Sequence, residues 1–272
     1  MGGLRVALFV EGSMAPPPAH RTPALERIWN EHIADQLAVD RFAPIVPISK
    51  KHLVAMDPAA PTMSGSGERL DQLLVRMLRR HPFDVAVVAW DLVPAWNPEG
   101  TFCRWQETLD FYRLLAASQV LPRNWTAAAQ ARYQDLSTRS VNNARPGPPK
   151  LSAHAIVAVC MEPMFEGLLV QDEQAVRRAL GLEGARAPGG WPGTGWGAPA
   201  ARQPDSALLV PAIASLRRIR PRNEVAKRIV GDFRTNKDGW GEYILRQLLR
   251  DEQARPVVLG HPIYRRLREW LS

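Results

Sequence analysis

Cysteine is scarce in this chain: Cys103 and Cys160 are the only two among 272 residues, and neither has a second cysteine or a histidine at metal-ligand spacing. That pattern offers no disulfide framework and no zinc motif, and both side chains read as reduced thiols of a cytoplasmic protein. No apolar run approaches the roughly 20 residues needed to cross a bilayer, so no membrane partner is expected. The opening Met1-Gly2-Gly3-Leu4-Arg5 leads straight into an apolar run carrying Glu11, which is not the pattern of a signal peptide. No internal repeat of fixed period is present. Ser13 has no identifiable base partner, which leaves serine-hydrolase chemistry without support.

What is present is an ordinary globular composition, 46% hydrophobic and 23% charged, enough to bury a sizeable core in one large domain or two small ones. The net charge of +8 is unevenly placed: residues 201–272 carry 15 Lys and Arg against 8 Asp and Glu. A basic second half suits a polyanion such as nucleic acid, although an arginine-rich solvated face gives the same count. Lys50, Lys51, Arg217, Arg218, Arg220 and Arg222 are the candidate phosphate contacts. Trp191, Trp196 and Trp240 can stack on bases or anchor a loop to the core. His20 falls in the loop after Glu11, and His154 reads as a satisfied core residue inside an apolar strand.

Leu4 to Val10 is the kind of apolar run that forms a buried parallel strand. Leu25, Ile28, Trp29 and Ile33 then share one helical face. Ala43 to Ile48 reads as a second strand, with Pro47 pointing to an edge position or an early end. Gly67 to Arg80 is an amphipathic helix stopped by His81-Pro82. Asp84 to Trp90 is a third strand, followed by helices over Trp105–Val120 and Trp125–Leu136 and a loop over Asn142–Lys150. Ala153 to Met161 is a fourth strand, and Asp172 suits the N-cap of a helix through Leu180. The stretch 183–205 is rich in Gly, Pro and Trp and reads as a long loop. From Ser206 onward the pattern is helical. The chain therefore divides into an α/β core (1–182), a loop (183–205) and a helical C-terminal region (206–272) packed on that core. Strands alternating with helices predict a parallel sheet covered on its faces.

Ligands of such sheets sit beyond the carboxyl ends of the strands. Here those ends carry Glu11, Asp91, Glu162 and Glu166. Carboxylates gathered on one edge suit a hard divalent cation, Mg²⁺ or Mn²⁺, which takes one or two of them together with water and substrate phosphates. Such an ion, with a nearby general base, activates water and offsets the charge of phosphodiester cleavage. Gly12 allows the tight turn that brings backbone close to a phosphate. Each carboxylate also has a plainer role: a solvated strand end for Glu11, a loop cap for Asp91, a first-turn residue for Glu166 and a helix cap for Asp172.

Val10-Glu11-Gly12 at the end of the first strand resembles the opening motif of Toprim domains, found in topoisomerases, primases and OLD-type nucleases. The segment from Glu166 to Asp172 (EGLLVQD) is similar to the Glu-Ala-Trp-Leu-Leu-Ala-Asp signature of the Toprim-like RloB-type family. The ending His261-Pro-Ile-Tyr-Arg-Arg-Leu is similar to that family's close. The matches are short, spread over most of the chain, and leave its middle unmatched. The resemblance implies a Toprim-like core acting as a nuclease on DNA or RNA in bacterial phage defence, beside a partner ATPase. Glu11 would take the catalytic acid/base position and Asp91 the first aspartate of a metal-binding Asp-x-Asp, with Glu166 or Asp172 as the carboxylate that would compensate for its second. The second aspartate of that motif falls at Val93, which cannot bind a metal. Two other readings stand beside this one, a non-catalytic subunit that binds the ATPase or nucleic acid, and a small-molecule phosphohydrolase.

Overall fold

The computed structural model describes residues 4–12, 22–37, 39–57, 67–93, 103–139, 152–184, 186–197, 203–216 and 237–271. Four parallel strands make one sheet in the order β2-β1-β3-β4: β1 (Val6–Glu11), β2 (Phe42–Ile48), β3 (Val85–Asp91) and β4 (Ala155–Met161). β1, β3 and β4 are apolar up to their last residues because both faces of the sheet are covered there, whereas the edge strand β2 is only partly buried. Val6, Leu8 and Val10 face one core, and Ala7 and Phe9 face the other. The same alternation runs through β3, with Val85, Val87 and Ala89 on the first side and Ala86, Val88 and Trp90 on the second. β2 is an edge strand, where Pro47 withholds no ladder bond from an inner neighbour.

The first core lies under α1 (Ala24–Arg27), which continues as a wider π turn over Ile28–Ile33. It also receives a 3₁₀ turn (Phe165–Val170), α6 (Glu173–Ala179) and the C-terminal helices. The second core lies under α2 (Lys50–Val54), α3 (Leu70–Arg80), α4 (Arg104–Ala116) and α5 (Arg123–Ser137). In the C-terminal region a π turn (Asp205–Leu209) runs into α7 (Val210–Ser215), followed by α8 (Lys237–Arg250), α9 (Ala254–Gly260) and α10 (Pro262–Leu271). Leu208, Ile213, Trp240, Ile244, Leu267 and Trp270 from this region share one apolar cluster with the strands. Trp191 and Trp196 stack on each other at 5.5 Å and pack against the same cluster. These tryptophans therefore anchor the 186–197 segment to the core.

The chain leaves β1 over the first face toward β2 and leaves β3 over the second face toward β4. Connections that part in this way open a crevice between β1 and β3 at their carboxyl ends. His154 differs from its expected place. It precedes β4 in a turn with φ of 73° and lies edge-on to Trp125, 5.5 Å away.

Leu8 is fully buried in the middle of β1. Leu8→Ala should cost about 2–5 kcal/mol, the usual range for such a cavity. Urea unfolding should show a lower midpoint with an unchanged slope; a midpoint like that of the wild type contradicts this packing.

Candidate functional site

β1 ends on Glu11 itself, which pairs in register with Ile48 of β2. The Glu11 carboxylate takes the backbone N–H of Asp91 at 2.9 Å and also accepts from the backbone N–H of Lys50. It is thus fixed from β3 on one side and from the start of α2 on the other. Gly12 follows with φ of 155° and donates its N–H to the Ile48 carbonyl at 3.2 Å. A side chain would be strained at that φ, so glycine is what lets the chain turn directly after the carboxylate.

Asp91 closes β3 and accepts the Phe165 N–H at 3.0 Å, which ties it to the 3₁₀ turn that carries Glu166. Glu11, Asp91 and Glu166 line a single cavity of about 150 Å³. Trp29, Ile28, Leu25 and Phe165 supply its apolar wall, and Lys237 and Gly241 of α8 close it. The space is well above the roughly 10–15 Å³ that one water requires on the same measure. It lies in the β1/β3 crevice that the strand order creates.

Burial raises the pKa of Asp91 well above the usual carboxylate range, and the charges of Glu11 and Glu166 push it further. Burial raises Glu11 as well; the N–H groups of Asp91 and Lys50 and the Lys50 charge oppose that shift without cancelling it. Acids crowded in this way favour positive charge at close range. Lys237 supplies some. Burial works against its ammonium, but an ion pair with Asp205 and the fields of Glu166 and Asp91 leave its pKa raised.

Two expected roles need correction. Lys50 is 5% exposed and cannot meet a phosphate. Its ammonium donates to the Leu92 carbonyl at 2.8 Å and to Glu107 at 2.6 Å, and Glu107 also takes the Trp90 indole N–H at 2.9 Å. A lysine is kept charged at such depth only by a partner, and removing one member of a buried pair costs about 3–5 kcal/mol. Asp172 is not among the cavity residues. It caps α6, its Oδ1 accepting the Gln174 and Ala175 N–H groups at 2.9 and 3.2 Å, which is the plainer of its expected roles and places it outside the cavity that holds the other three carboxylates. Lys51 is exposed on α2, outside the cavity. Val93 is buried in the second core, and its N–H bonds to the Pro163 carbonyl. Ser13, His20, Arg217, Arg218, Arg220 and Arg222, and the 142–150 loop, lie outside the described residues.

Sequence reasoning missed Lys237, Trp29, Phe165 and Gly241 as cavity residues. The one available signal was Gly241, a glycine inside a helical pattern, which costs about 1 kcal/mol relative to alanine and so invites a reason.

The donors suit a hard cation in a limited way. Among the described residues, no group of three or more His, Cys, Asp or Glu side chains is arranged to hold a metal ion. A Mg²⁺ taken up by one or two of these carboxylates, with water filling the rest of its shell, is compatible with the set. No match to this chain is found among known protein families, curated proteins or solved structures.

A carboxyl whose folded-state pKa is raised favours the folded state fully below its unfolded pKa. That contribution is lost as pH rises through the folded value. Asp91→Asn removes the penalty and can still accept the Phe165 N–H. Its stability relative to wild type, without divalent cations, should therefore grow as pH rises from mildly acidic to neutral. A difference that stays constant across pH in urea unfolding contradicts the raised pKa.

Proposed function

We propose that this chain is a Mg²⁺-dependent nuclease of Toprim type, hydrolysing phosphodiester bonds of DNA or RNA. The observation that carries the reading is the meeting of Glu11, Asp91 and Glu166 in one cavity at the carboxyl end of a parallel sheet, where the pKa values of Glu11 and Asp91 are raised. Groups poised in this way recur where proton transfer and metal binding are needed. Mn²⁺ would serve in place of Mg²⁺. The Val10-Glu11-Gly12 resemblance supports the same assignment and extends it to a cytoplasmic effector of antiviral defence that works beside an ATPase.

Asp91 and Glu166 are the residues that would hold the ion. When bound, it would neutralise phosphate charge and lower the pKa of a coordinated water. Glu11 takes a proton from the attacking water at its carboxylate, a role its raised pKa favours because a base works best near the ambient pH. Its two backbone N–H partners keep the carboxylate aimed while the proton moves. Lys237, held in the cavity wall, offers positive charge to a phosphate oxygen. The apolar wall of Trp29, Ile28 and Phe165 limits the water that reaches the carboxylates.

A second reading, a non-catalytic subunit that binds the ATPase or nucleic acid, is favoured by Val93. Its place in the core leaves the motif one carboxylate short.

The readings separate in a cleavage assay on plasmid DNA and single-stranded RNA with Mg²⁺ or Mn²⁺. Glu11→Ala should lower metal-dependent cleavage by about 10²-fold or more, the scale of losing a general base. Cleavage that survives in Glu11→Ala contradicts the assignment. Cleavage absent from the folded wild type, with biological activity intact in Glu11→Ala, favours the non-catalytic subunit.

A further inference from the structure

The carboxyl end of β4 is chemically unlike the ends of β1 and β3. Met161, its last residue, pairs in register with Asp91, so the next position lies one strand beyond the carboxylate cavity, about 4.8 Å across the sheet. Arginines gather there. Arg104 opens α4, and its Nε donates to Glu162 at 3.2 Å. Arg266 reaches in from α10 and donates from Nη2 to the Cys160 carbonyl at 3.1 Å. Its Nε is buried and has no partner among the described residues. An unmet guanidinium donor at depth is costly, and native structures seldom leave one without a ligand or water to complete it.

The charges around Arg266 make the deficit plain. Arg104 and Arg265 repel it, and Glu162 is the carboxylate that draws it. Burial and the Arg104 charge bring its pKa down to about 10, and burial, followed by the Arg266 and Arg265 charges, pushes the nearby His261 down to about 4. The Glu162 side chain is 55% exposed, so this carboxylate is a surface group that can turn to solvent and leave the arginines to another anion. The first turn of α4 adds a partial positive charge, since Cys103 at its N-cap provides no side-chain bond.

We propose that Arg104 and Arg266 form a phosphate-binding subsite that holds the nucleic-acid backbone one strand away from the carboxylate cavity, with Glu162 occupying it when no substrate is bound. The proposal rests on the nucleic-acid reading above and adds to Lys237, inside the cavity, a guanidinium contact for the neighbouring backbone phosphate. Guanidinium groups suit the task because they pair with phosphate oxygens through two parallel N–H bonds. The recognised group is a phosphate oxyanion, which a polynucleotide or a free phosphate can present.

The test is a binding titration in EDTA, so that cleavage plays no part. A fluorescein-labelled single-stranded oligonucleotide serves as one probe and inorganic phosphate as the other. Arg104→Gln, at a partly buried side chain and checked for fold by circular dichroism, should weaken oligonucleotide binding about three- to tenfold and lower the salt slope by about 1. Glu162→Gln should tighten binding by a similar factor, because the competing carboxylate is gone; a purely structural ion pair would give no gain. Arg266→Lys should fold and weaken binding, keeping the charge but losing the forked donors. Unchanged affinity in Arg104→Gln and Glu162→Gln overturns the subsite, even where Glu11→Ala abolishes cleavage and the nuclease reading stands. Loss of inorganic phosphate binding in Arg104→Gln, with oligonucleotide binding unaffected, overturns the backbone assignment in favour of a small phosphate. Wild-type protein that binds neither probe overturns it as well.

Discussion

The bond from the Asp91 N–H to the Glu11 carboxylate joins the last residues of two adjacent strands, and the rest of the site is arranged around it. Glu11 belongs to β1 and Asp91 to β3, whose onward connections part to opposite faces of the sheet. The same bond that orders Glu11 brings a second carboxylate beside it. Burial then takes from both of them part of the water that would screen their charges. A sheet covered on both faces is what produces that burial, so the chemistry of the site is a consequence of the packing of the whole core.

Other elements can be understood by what they do for this pair. The 3₁₀ turn after β4 brings Glu166 in and closes Asp91 with the Phe165 N–H. The helix after β1 supplies the apolar wall through Leu25, Ile28 and Trp29. Arg27 and His32 on that stretch meet Glu242 of α8, with His32 at 2.9 Å, and so lock the wall to the helix that carries Lys237 and Gly241. Behind Glu11 the Lys50, Glu107 and Trp90 network holds the start of α2, whose first N–H is one of the two that fix the Glu11 carboxylate. The site is therefore supported from both cores.

Much of this frame was legible in the sequence, for reasons that differ by element. The four strands are short, apolar and β-branched, and runs buried on both faces leave that mark. Pro47 marked β2 as an edge strand because proline cannot serve an inner ladder. Asp172 was recognisable as a cap because it stands directly before a helical pattern. The strand ends pointed to Glu11, Asp91 and Glu166, but only tertiary structure brings Glu166 beside the other two. Lys50 was misread because its partner Glu107 lies far along the chain, and a lysine without a visible partner is ordinarily solvated. Lys237 was missed for the same reason, since α8 reaches the cavity only through the packing of the C-terminal helices. The π turn at Ile28–Ile33 leaves no signal in a hydrophobic pattern that a regular helix would also satisfy.

The central proposal is that the carboxylates of Asp91 and Glu166 hold a cation beside Glu11 in the cavity at the β1/β3 crevice. Calorimetric titration of Mn²⁺ into the protein near neutral pH, in two buffers of different ionisation enthalpy, tests it directly. Acids with raised pKa values must give up protons when a cation arrives, so the account predicts binding with proton release, and loss of both in Asp91→Asn. Absence of binding, or binding with the same proton release in Asp91→Asn, would contradict it.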